Sequence, residues 1–406
     1  MKRTIARSGP AIAQSAQANR SSCKTRWRQM FGLYLHIPFC LKKCAYCDFN
    51  SRAPRPGEVD SYLSALQKEI ATVPALAGRS LSSLYIGGGT PTILTVEQFR
   101  RLFAALHSVF HWNDGMEITV EANPGTVDLS FLRQLRSLGV NRLSLGIQSF
   151  RDSLLRRMGR IHSGADGRAA IEAARKAGFE NLGADLIYAL PGQAPADWEE
   201  DLAELLGYRP EHLSLYALSV EPGTPFARAE KEGKLLLPAE EEEVEMFRRA
   251  VEITGERGYE HYEISNFALP GCFSRHNSRY WTMEEYYGAG AGAHSFLWRE
   301  DPVRFHNEPD PAAYVGRIGR GESPVAGREV LEKKTLLSEA MMLGLRRTAG
   351  VDMEKFHGKY GVEPAEYFAE DLVRAFREEW IEEIGGVLRL TPKGALFSNE
   401  VFVCLF

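Results

Sequence analysis

Three cysteines near the start of the chain have a spacing suited to a metal cluster. Cys40, Cys44 and Cys47 form a CxxxCxxC pattern directly after a short apolar run. Structural zinc sites usually take four ligands, often as two CxxC pairs, and no second pair lies near these cysteines. A cubane iron–sulfur cluster held by three thiolates leaves one iron without a protein ligand. The spacing therefore favours a cluster with an open iron at which a small molecule can bind.

A glycine-rich segment and two polar residues lie at the ends of predicted strands. GGGTPT (87–92) lets the backbone approach a ligand closely. It lacks the GKS or GKT of a phosphate-binding loop, and Pro91 interrupts any dinucleotide-binding pattern. Glu121 and Gln148 end neighbouring predicted strands, where a carboxylate and an amide can hydrogen-bond a pair of ribose hydroxyls. Taken singly, each of these features also suits an ordinary turn or strand end.

Two charged residues are further candidates for ligand binding. Arg160, in MGRIHS, can pair with a ligand carboxylate, although a lone arginine is more often a solvated surface charge. Asp185 lies between apolar residues of a predicted strand, and a buried charge needs a partner. A bound ligand or a salt bridge would supply that partner.

The motif HNSRYW, far along the chain, combines a histidine with two aromatic residues. His276 is of a type that commonly binds haem iron, and Tyr280 and Trp281 can stack on a flat porphyrin. A histidine among aromatic residues is, however, more often a packed core residue. The glycine- and alanine-rich segment 288–296 follows and allows close backbone approach, with His294 as a second candidate.

The elements that must position these residues alternate along the chain. Strands are predicted at 33–37, 83–88, 116–122, 142–148, 181–188 and 212–218, with a weaker seventh at 259–267. Amphipathic helices are predicted at 58–76, 95–110, 128–138, 165–177, 195–207 and 238–257. Such repeats favour parallel strands joined by right-handed crossovers. Because the polar candidates, including Ser219, fall at the ends of strands, an open or closed β/α barrel is favoured over a flat sheet.

The two ends of the chain differ from this pattern. Residues 1–29 carry seven basic and no acidic side chains, which predicts a disordered extension, with Met30 as an alternative start. A transit peptide has the same composition. The barrel is predicted over 30–300, and a smaller helical and winged α+β domain over 301–406. In that domain we expect helices near 328–346, 352–359 and 364–382, then a strand, a turn at 391–394 and a final helix.

Composition limits the classes of function. The 406 residues are 44% hydrophobic and 25% charged, with a net charge of −4, so bulk charge gives no support for nucleic-acid binding. No apolar run has the length of a membrane-spanning helix. Three scattered cysteines beside the CxxxCxxC group do not make a disulfide framework, which predicts a reducing cytoplasm.

Taken together, the motifs resemble those of radical S-adenosylmethionine (SAM) proteins. CxxxCxxC followed by GGGTPT is the signature of that family, and HIPFC, EANPG, LGIQSF, GADLIYALPGQ and EPGTP resemble its branch around oxygen-independent coproporphyrinogen III oxidase. The resemblance covers residues 33 to about 400. It implies a partial (β/α)6 barrel and a 4Fe–4S cluster on Cys40, Cys44 and Cys47. In this family the open iron binds SAM, and one electron cleaves it to a 5′-deoxyadenosyl radical.

The resemblance also implies a set of SAM contacts and an external reductant. The residues that match the family's SAM-binding positions are Tyr34, Gly88, Gly89, Thr90, Glu121, Gln148, Arg160, Asp185 and Ser219. Ser219 matches a position where the oxidase uses a backbone contact. The electron donor implied is a flavodoxin or ferredoxin, and the chain is expected to act as a monomer or homodimer.

One departure from the oxidase pattern changes the expected function. The oxidase has a fourth cysteine two residues after the third, whereas this chain has Phe49 there. The haem chaperone (HemW-type) branch resembles this chain both in that phenylalanine and in HNSRYW. The resemblance therefore implies haem binding through His276, Tyr280 and Trp281, and transfer to haem-acceptor proteins. Oxidative decarboxylation of coproporphyrinogen III is the alternative, and a radical enzyme for another substrate is a third. Coproporphyrinogen oxidase activity is not expected, whereas cleavage of SAM is.

Overall fold

The structure is a computed structural model that describes residues 30–72 and 79–406. The predicted extension over 1–29 and the end of the helix predicted at 58–76 lie outside the described residues. The strands are β1 (Met30–Ile37), β2 (Ser80–Gly88), β3 (His111–Ala122), β4 (Arg142–Gln148), β5 (Leu182–Tyr188), β6 (His212–Ala217), β7 (Glu260–Glu263), β8 (Asn266–Ala268), β9 (Tyr286–Ala289), β10 (His294–Trp298), β11 (Pro302–Asn307), β12 (Val325–Val330), β13 (Val351–Asp352), β14 (Ile381–Ile384) and β15 (Val387–Leu390).

Helices connect and cover these strands. Their bounds are Glu58–Thr72, Val96–Val109, Leu129–Ser137, Asp152–Arg157, Gly164–Lys176, Pro195–Gly207, Pro225–Lys231, Glu240–Glu256, Arg275–Trp281, Pro311–Gly319, Lys333–Leu345, Met353–Tyr360, Pro364–Tyr367, Val373–Arg377, Pro392–Leu396 and Ser398–Val403. Thr95 and Gln98 form the predicted capping box at the start of the second of these helices. Among the described residues, we find no helix that combines the length and the apolar character needed to cross a membrane.

Six consecutive parallel strands form the centre of the molecule. The large sheet has the order β12-β11-β10-β9-β1-β2-β3-β4-β5-β6-β8-β7, and β1 to β6 pair in parallel throughout. All six predicted strands are present, and the two edges of the sheet do not meet, which confirms an α/β fold with a partial barrel. The weaker seventh strand predicted at 259–267 is instead the antiparallel hairpin of β7 and β8.

The inner face of the parallel strands is unusually polar. In β4, Leu143, Leu145 and Ile147 are fully buried in the main apolar core. The alternate residues Arg142 and Ser144 line a cavity inside the barrel instead. Because side chains alternate between the two faces of a strand, β4 packs on one face and presents polar groups on the other.

The carboxyl-terminal part has its own small sheet and apolar core. The sheet has the order β13-β15-β14, and its core includes Phe368, Trp380 and Leu388. Several predicted details are wrong. The turn predicted at 391–394 begins a helix capped by the Thr391 side chain, and the helix predicted over 364–382 is two short helices. The large sheet runs on to Val330, and the predicted domain division at residue 300 stays a prediction.

A buried carboxylate joins distant parts of the large sheet. Glu69, on helix Glu58–Thr72, is 1% exposed and accepts hydrogen bonds from four donors. They are the Tyr287 and Tyr314 hydroxyls, the Asn307 amide and the Gly290 backbone N–H. Since a buried charge without partners is costly, these donors offset the burial of Glu69 and fix β9, β11 and helix Pro311–Gly319 against the first helix.

Candidate cofactor-binding site

The loop that carries the three cysteines follows β1 and is fixed by its backbone. The Cys40 N–H donates to the Arg52 carbonyl at 3.0 Å, and the Ala45 N–H donates to the Met158 carbonyl at 2.9 Å. The Ala45 carbonyl in turn accepts from the Phe226 N–H at 3.0 Å. The loop is therefore held against segments that follow β4 and β6, on the same rim of the barrel as the end of β1.

Two polar side chains donate hydrogen bonds to the thiols. Thr90 Oγ1 lies 3.4 Å from Cys40 Sγ, and Arg160 Nη1 lies 3.6 Å from Cys44 Sγ. Burial raises the pKa of the Cys47 thiol. Thr90 and Arg160 thus place hydrogen-bond donors beside two of the three sulfurs.

The three thiols face one cavity, which suits a multi-iron cluster. Cys40, Cys44 and Cys47 all line it. In residues 30–72 and 79–406, we find no three His, Cys, Asp or Glu side chains grouped around a point as ligands of one ion. A 4Fe–4S cluster does not need that convergence, because each thiolate binds a different iron. The donor set and its placement therefore fit such a cluster.

The glycine segment packs so closely against the cysteine loop and β1 that Gly88 and Gly89 have no space for a side chain. A Cβ on Gly89 would lie 2.6 Å from the Phe39 carbonyl oxygen and 3.0 Å from Cys40 Sγ. A Cβ on Gly88 would lie 2.6 Å from the His36 ring, and Gly88 has a φ of +111°, which favours glycine. Side chains at either position would therefore displace the wall that carries Cys40.

Most of the predicted site residues line the same cavity of about 220 Å³ as the thiols. Besides the cysteines, the predicted residues that line it are Gly88, Gly89, Thr90, Glu121, Gln148, Arg160 and Asp185. Residues at the carboxyl ends of β2, β3 and β4 thus meet at one opening, as expected for the carboxyl rim of parallel strands, and Asp185 joins them from the middle of β5.

Backbone geometry directs Gln148 and Arg160 toward this cavity. The β4–β5 register shifts between Gly146 and Gln148, and Gln148 has a φ of +67°. This left-handed conformation is costly for a residue with a side chain and is concentrated at functional sites. Arg160 Nη2 donates to Asn123 Oδ1 and to the Gly146 carbonyl, each at 2.6 Å, so its guanidinium bridges the cysteine loop and β4.

Two acidic residues in the cavity have raised pKa values. Burial raises the pKa of Glu121 to about 7, and the nearby Asp185 carboxylate adds to the effect. Burial likewise raises the pKa of Asp185 to about 6. Glu121 accepts hydrogen bonds from the Tyr85 hydroxyl at 2.7 Å and from the Gly88 N–H at 3.1 Å. Both acids therefore change charge near neutral pH.

Two of the predicted SAM contacts lie outside the cavity. The Tyr34 hydroxyl is hydrogen-bonded to His36 Nδ1 at 2.9 Å, and its ring packs near that of Tyr85. Ser219 is exposed, and its hydroxyl donates to Glu221 Oε1. Tyr34 thus contributes to the wall behind the cavity, whereas Ser219 lies on the surface after β6.

The proposed haem residues belong to helix Arg275–Trp281, which packs into the barrel beside β2. His276 is fully buried, and both ring nitrogens are hydrogen-bonded: Nδ1 to Ser83 Oγ and Nε2 to the Tyr280 hydroxyl, each at 2.9 Å. Burial lowers the pKa of His276 to about 3, and the Arg279 cation adds to the shift. The ring is therefore neutral and enclosed, and its haem contact stays a prediction.

The other members of this group are more accessible. Trp281 is partly exposed, with the Arg346 guanidinium 4.6 Å from its ring centre. His294 is exposed at the start of β10, with its ring centre 5.3 Å from that of His306. His294 is thus on a different element from His276, and its ring neighbour is His306.

Sequence reasoning missed the deeper wall of the cavity. Its additional polar residues include Arg142, Ser144, His212, Ser214 and Tyr216, on the inner faces of β4 and β6. The signal was present, because RLSLGIQ and HLSLYA alternate polar and apolar residues with the period of a strand. That alternation predicts a polar barrel interior.

Comparison with known proteins places these features in context. Residues 34–205 match the radical SAM superfamily, and residues 331–397 match the HemN C-terminal domain. The chain is 39% identical over 375 residues to the heme chaperone HemW of Bacillus subtilis, which covers 92% of this chain and 98% of that protein. It is 32% identical to the heme chaperone HemW of Escherichia coli, over 91% of this chain and 96% of that protein.

Among solved structures, the radical SAM enzyme coproporphyrinogen III oxidase (HemN) from Escherichia coli has a similar fold. The TM-score is 0.82 with 26% sequence identity, and the match covers 96% of this chain and 93% of that chain. The agreement extends over both the barrel and the smaller carboxyl-terminal part.

Proposed function

The chain belongs to the radical SAM superfamily and, within it, to the heme chaperone HemW family, and from this premise we propose that it binds haem and delivers it to acceptor proteins. The observation that carries the proposal is the 39% identity over nearly the whole length of a relative with that name. The cavity beside CxxxCxxC supports it, because the residues expected for a radical SAM protein meet there.

We assign Cys40, Cys44 and Cys47 as ligands of a 4Fe–4S cluster and the cavity beside them as the SAM site. When bound, the cluster supplies the electron that cleaves SAM. Thr90 and Arg160 stabilise the thiolates through the hydrogen bonds described above. Glu121, Gln148 and Asp185 offer acceptors and an amide to the hydroxyls and amino group of a ligand in the cavity. A flavodoxin or ferredoxin as reductant and a cytoplasmic location are part of the same proposal.

Haem binding by His276, Tyr280 and Trp281 requires a local rearrangement. The imidazole of His276 already uses one nitrogen for Ser83 and the other for Tyr280. For Nε2 to bind iron, the Tyr280 hydroxyl must leave and the ring must become accessible. We propose that helix Arg275–Trp281 moves away from β2 when haem binds, with the partly exposed Trp281 as the first contact.

Coproporphyrinogen III oxidase activity is the second candidate, favoured by the TM-score of 0.82 with the Escherichia coli oxidase. Phe49 argues against it. Its ring is 63% exposed at the position where the oxidase pattern has a fourth cysteine. An apolar ring at the mouth of the cavity cannot supply that thiol, and it offers an apolar surface near the cluster cysteines instead.

The test is anaerobic reconstitution followed by two measurements on one sample. Haem is titrated while the Soret band is recorded, and coproporphyrinogen III is incubated separately with SAM and a reductant. We expect stoichiometric haem binding and no protoporphyrinogen. The Escherichia coli oxidase serves as the positive control for turnover. Formation of protoporphyrinogen at a comparable rate, or failure to bind haem, would overturn the proposal.

A further inference from the structure

The floor of the barrel cavity has polar residues that the SAM assignment does not use. Arg142 begins β4, whereas Gln148 ends it, six residues nearer the rim. At a rise of about 3.3 Å per residue, their Cα atoms are separated by roughly 20 Å along the strand. Arg142 and His212 both line the cavity from its inner wall.

Arg142 is a buried cation with no close partner. It is 1% exposed, and its Nε atom has no hydrogen-bond partner among the described residues. Within that part of the chain it also makes no ion pair. The two nearby acids have other partners. Glu121 accepts hydrogen bonds from Tyr85 and Gly88, and Asp185 accepts one from Ser144, so both attract the Arg142 cation only at longer range. Because burying an unpaired charge is costly, a ligand that reaches Arg142 gains a strong partner.

His212 provides a second free polar atom at the same wall. It is 1% exposed, and its Nε2 is hydrogen-bonded to the Tyr262 hydroxyl at 2.8 Å. Its Nδ1 has no partner in the described structure. Ser144 pairs with Gly183 across β4 and β5, and Gly183 pairs with His212 across β5 and β6. Arg142 lies two residues before Ser144 on β4. Arg142 and His212 are therefore close to one row of paired residues, two strands apart.

We propose that Arg142 and His212 form a subsite for the carboxylate of a small-molecule ligand at the floor of the barrel. A guanidinium presents two parallel N–H groups that match the two oxygens of a carboxylate. A dianionic group fits less well, because this wall has one close cation and two acids nearby. This inference rests on the proposed function: the subsite takes a propionate carboxylate of haem, because SAM is held at the open iron beside the cysteines, at the rim.

The first test uses the wild-type protein and two small probes. Thermal unfolding is followed anaerobically with propionate, and with propionamide as the neutral probe, at constant ionic strength. We expect propionate to raise the midpoint and propionamide to leave it unchanged. Arg142→Met should remove the difference, whereas Arg142→Lys should retain part of it. Arg100→Met, on the surface, is the control. Equal shifts with both probes in the wild type would overturn the proposal, whether or not the Arg142 variants fold.

The second test identifies the source of the carboxylate and does not depend on haem delivery. Affinities of the reconstituted wild type are measured for SAM and its decarboxylated analogue, and for haem and its dimethyl ester. Haem should bind about tenfold or more tightly than its dimethyl ester, and this difference should vanish in Arg142→Met. The SAM pair is the control, and its difference in affinity should be the same in wild type and Arg142→Met. If haem and its dimethyl ester bind wild type equally well, the subsite assignment is wrong. Failure of haem to bind at all would count against the proposed function alone.

Discussion

The cysteine loop and helix Arg275–Trp281 are both candidate cofactor sites, but they differ in whether the side chains that would bind the cofactor already have partners in the protein. In the loop, backbone hydrogen bonds fix the chain while the three sulfurs face a cavity. In the helix, the fixed group is the His276 side chain itself, which is enclosed and bonded at both nitrogens. The loop is therefore ready to accept a metal cluster, whereas the helix must give up interactions before it can bind iron.

Replacing Cys44 by serine tests the cysteine loop as a cluster site and should have the largest effect. Loss of one of three thiolates should abolish cluster assembly, because the position two residues after Cys47 is Phe49 and offers no substitute thiol. Cluster assembly is measured by the iron content and the visible absorption of the anaerobically reconstituted protein. Cys272→Ser, outside the cavity, should assemble the cluster normally. A Cys44→Ser variant with full iron content would contradict the ligand assignment.

Replacing His276 by alanine tests the helix side. The change removes a fully buried ring and both of its hydrogen bonds, so we expect the free energy of unfolding to fall by about 2–4 kcal/mol. Denaturant unfolding measures this loss. Tyr280→Phe keeps the ring volume and frees only Nε2, so it should cost about 1 kcal/mol.

Haem titration of the same two variants separates packing from ligation. If His276 binds iron, His276→Ala should weaken haem binding while Tyr280→Phe, which leaves Nε2 without its competitor, should not. Equal haem affinity in the wild type and His276→Ala would remove His276 from the haem site, even with the predicted loss of stability.

The raised pKa of Glu121 gives the rim a pH dependence opposite in sign to that of the helix, where burial lowers the pKa of His276. The native state holds this proton up to a pKa of about 7, above the ordinary value of 4.5. The stability that Glu121 contributes should therefore fall as pH rises from about 4.5 to about 7, by an amount on the order of 1–3 kcal/mol, whereas the contribution of His276 rises with pH up to about 6.5. Glu121→Gln should flatten that part of the profile. Unfolding measured at several pH values checks it, and an unchanged slope in the variant would contradict it.

Ser219→Ala should have the smallest effect. The side chain is exposed and lies outside the cavity, so we expect SAM affinity to change by less than about twofold, or ~0.4 kcal/mol. Gln148→Ala, at the rim, should weaken binding more. Isothermal titration with reconstituted protein compares the two. A larger loss for Ser219→Ala would place its side chain in the site.

The sequence predicted the six parallel strands and the rim residues because both leave local signals. Apolar runs of strand length recur between amphipathic helices. Polar residues such as Glu121 and Gln148 stand at the ends of these runs, and Asp185 interrupts one of them. The family resemblance then connected these positions to one site. The polar floor at Arg142 was not predicted, because the candidate residues were chosen at the carboxyl ends of strands and Arg142 begins β4.

Other features depend on contacts that the sequence does not display. The hairpin of β7 and β8 pairs antiparallel to β6, although its residues predict only one extended segment. The enclosure of His276 depends on Ser83, 193 positions earlier in the chain. A histidine among aromatic residues is more often a core residue than a haem ligand, and only its tertiary partners distinguish the two.

The carboxylate of Glu69 also constrains when the protein can finish folding. Its partners Tyr287 and Tyr314 are 218 and 245 positions further along the chain. During synthesis, helix Glu58–Thr72 leaves the ribosome long before these donors exist, and closing such a long loop is slow. Until these donors are synthesised, Glu69 of a nascent chain stays exposed to water. Truncation before Tyr314 would leave that carboxylate short of donors, so we expect the amino-terminal strands to be less stable without the rest of the chain.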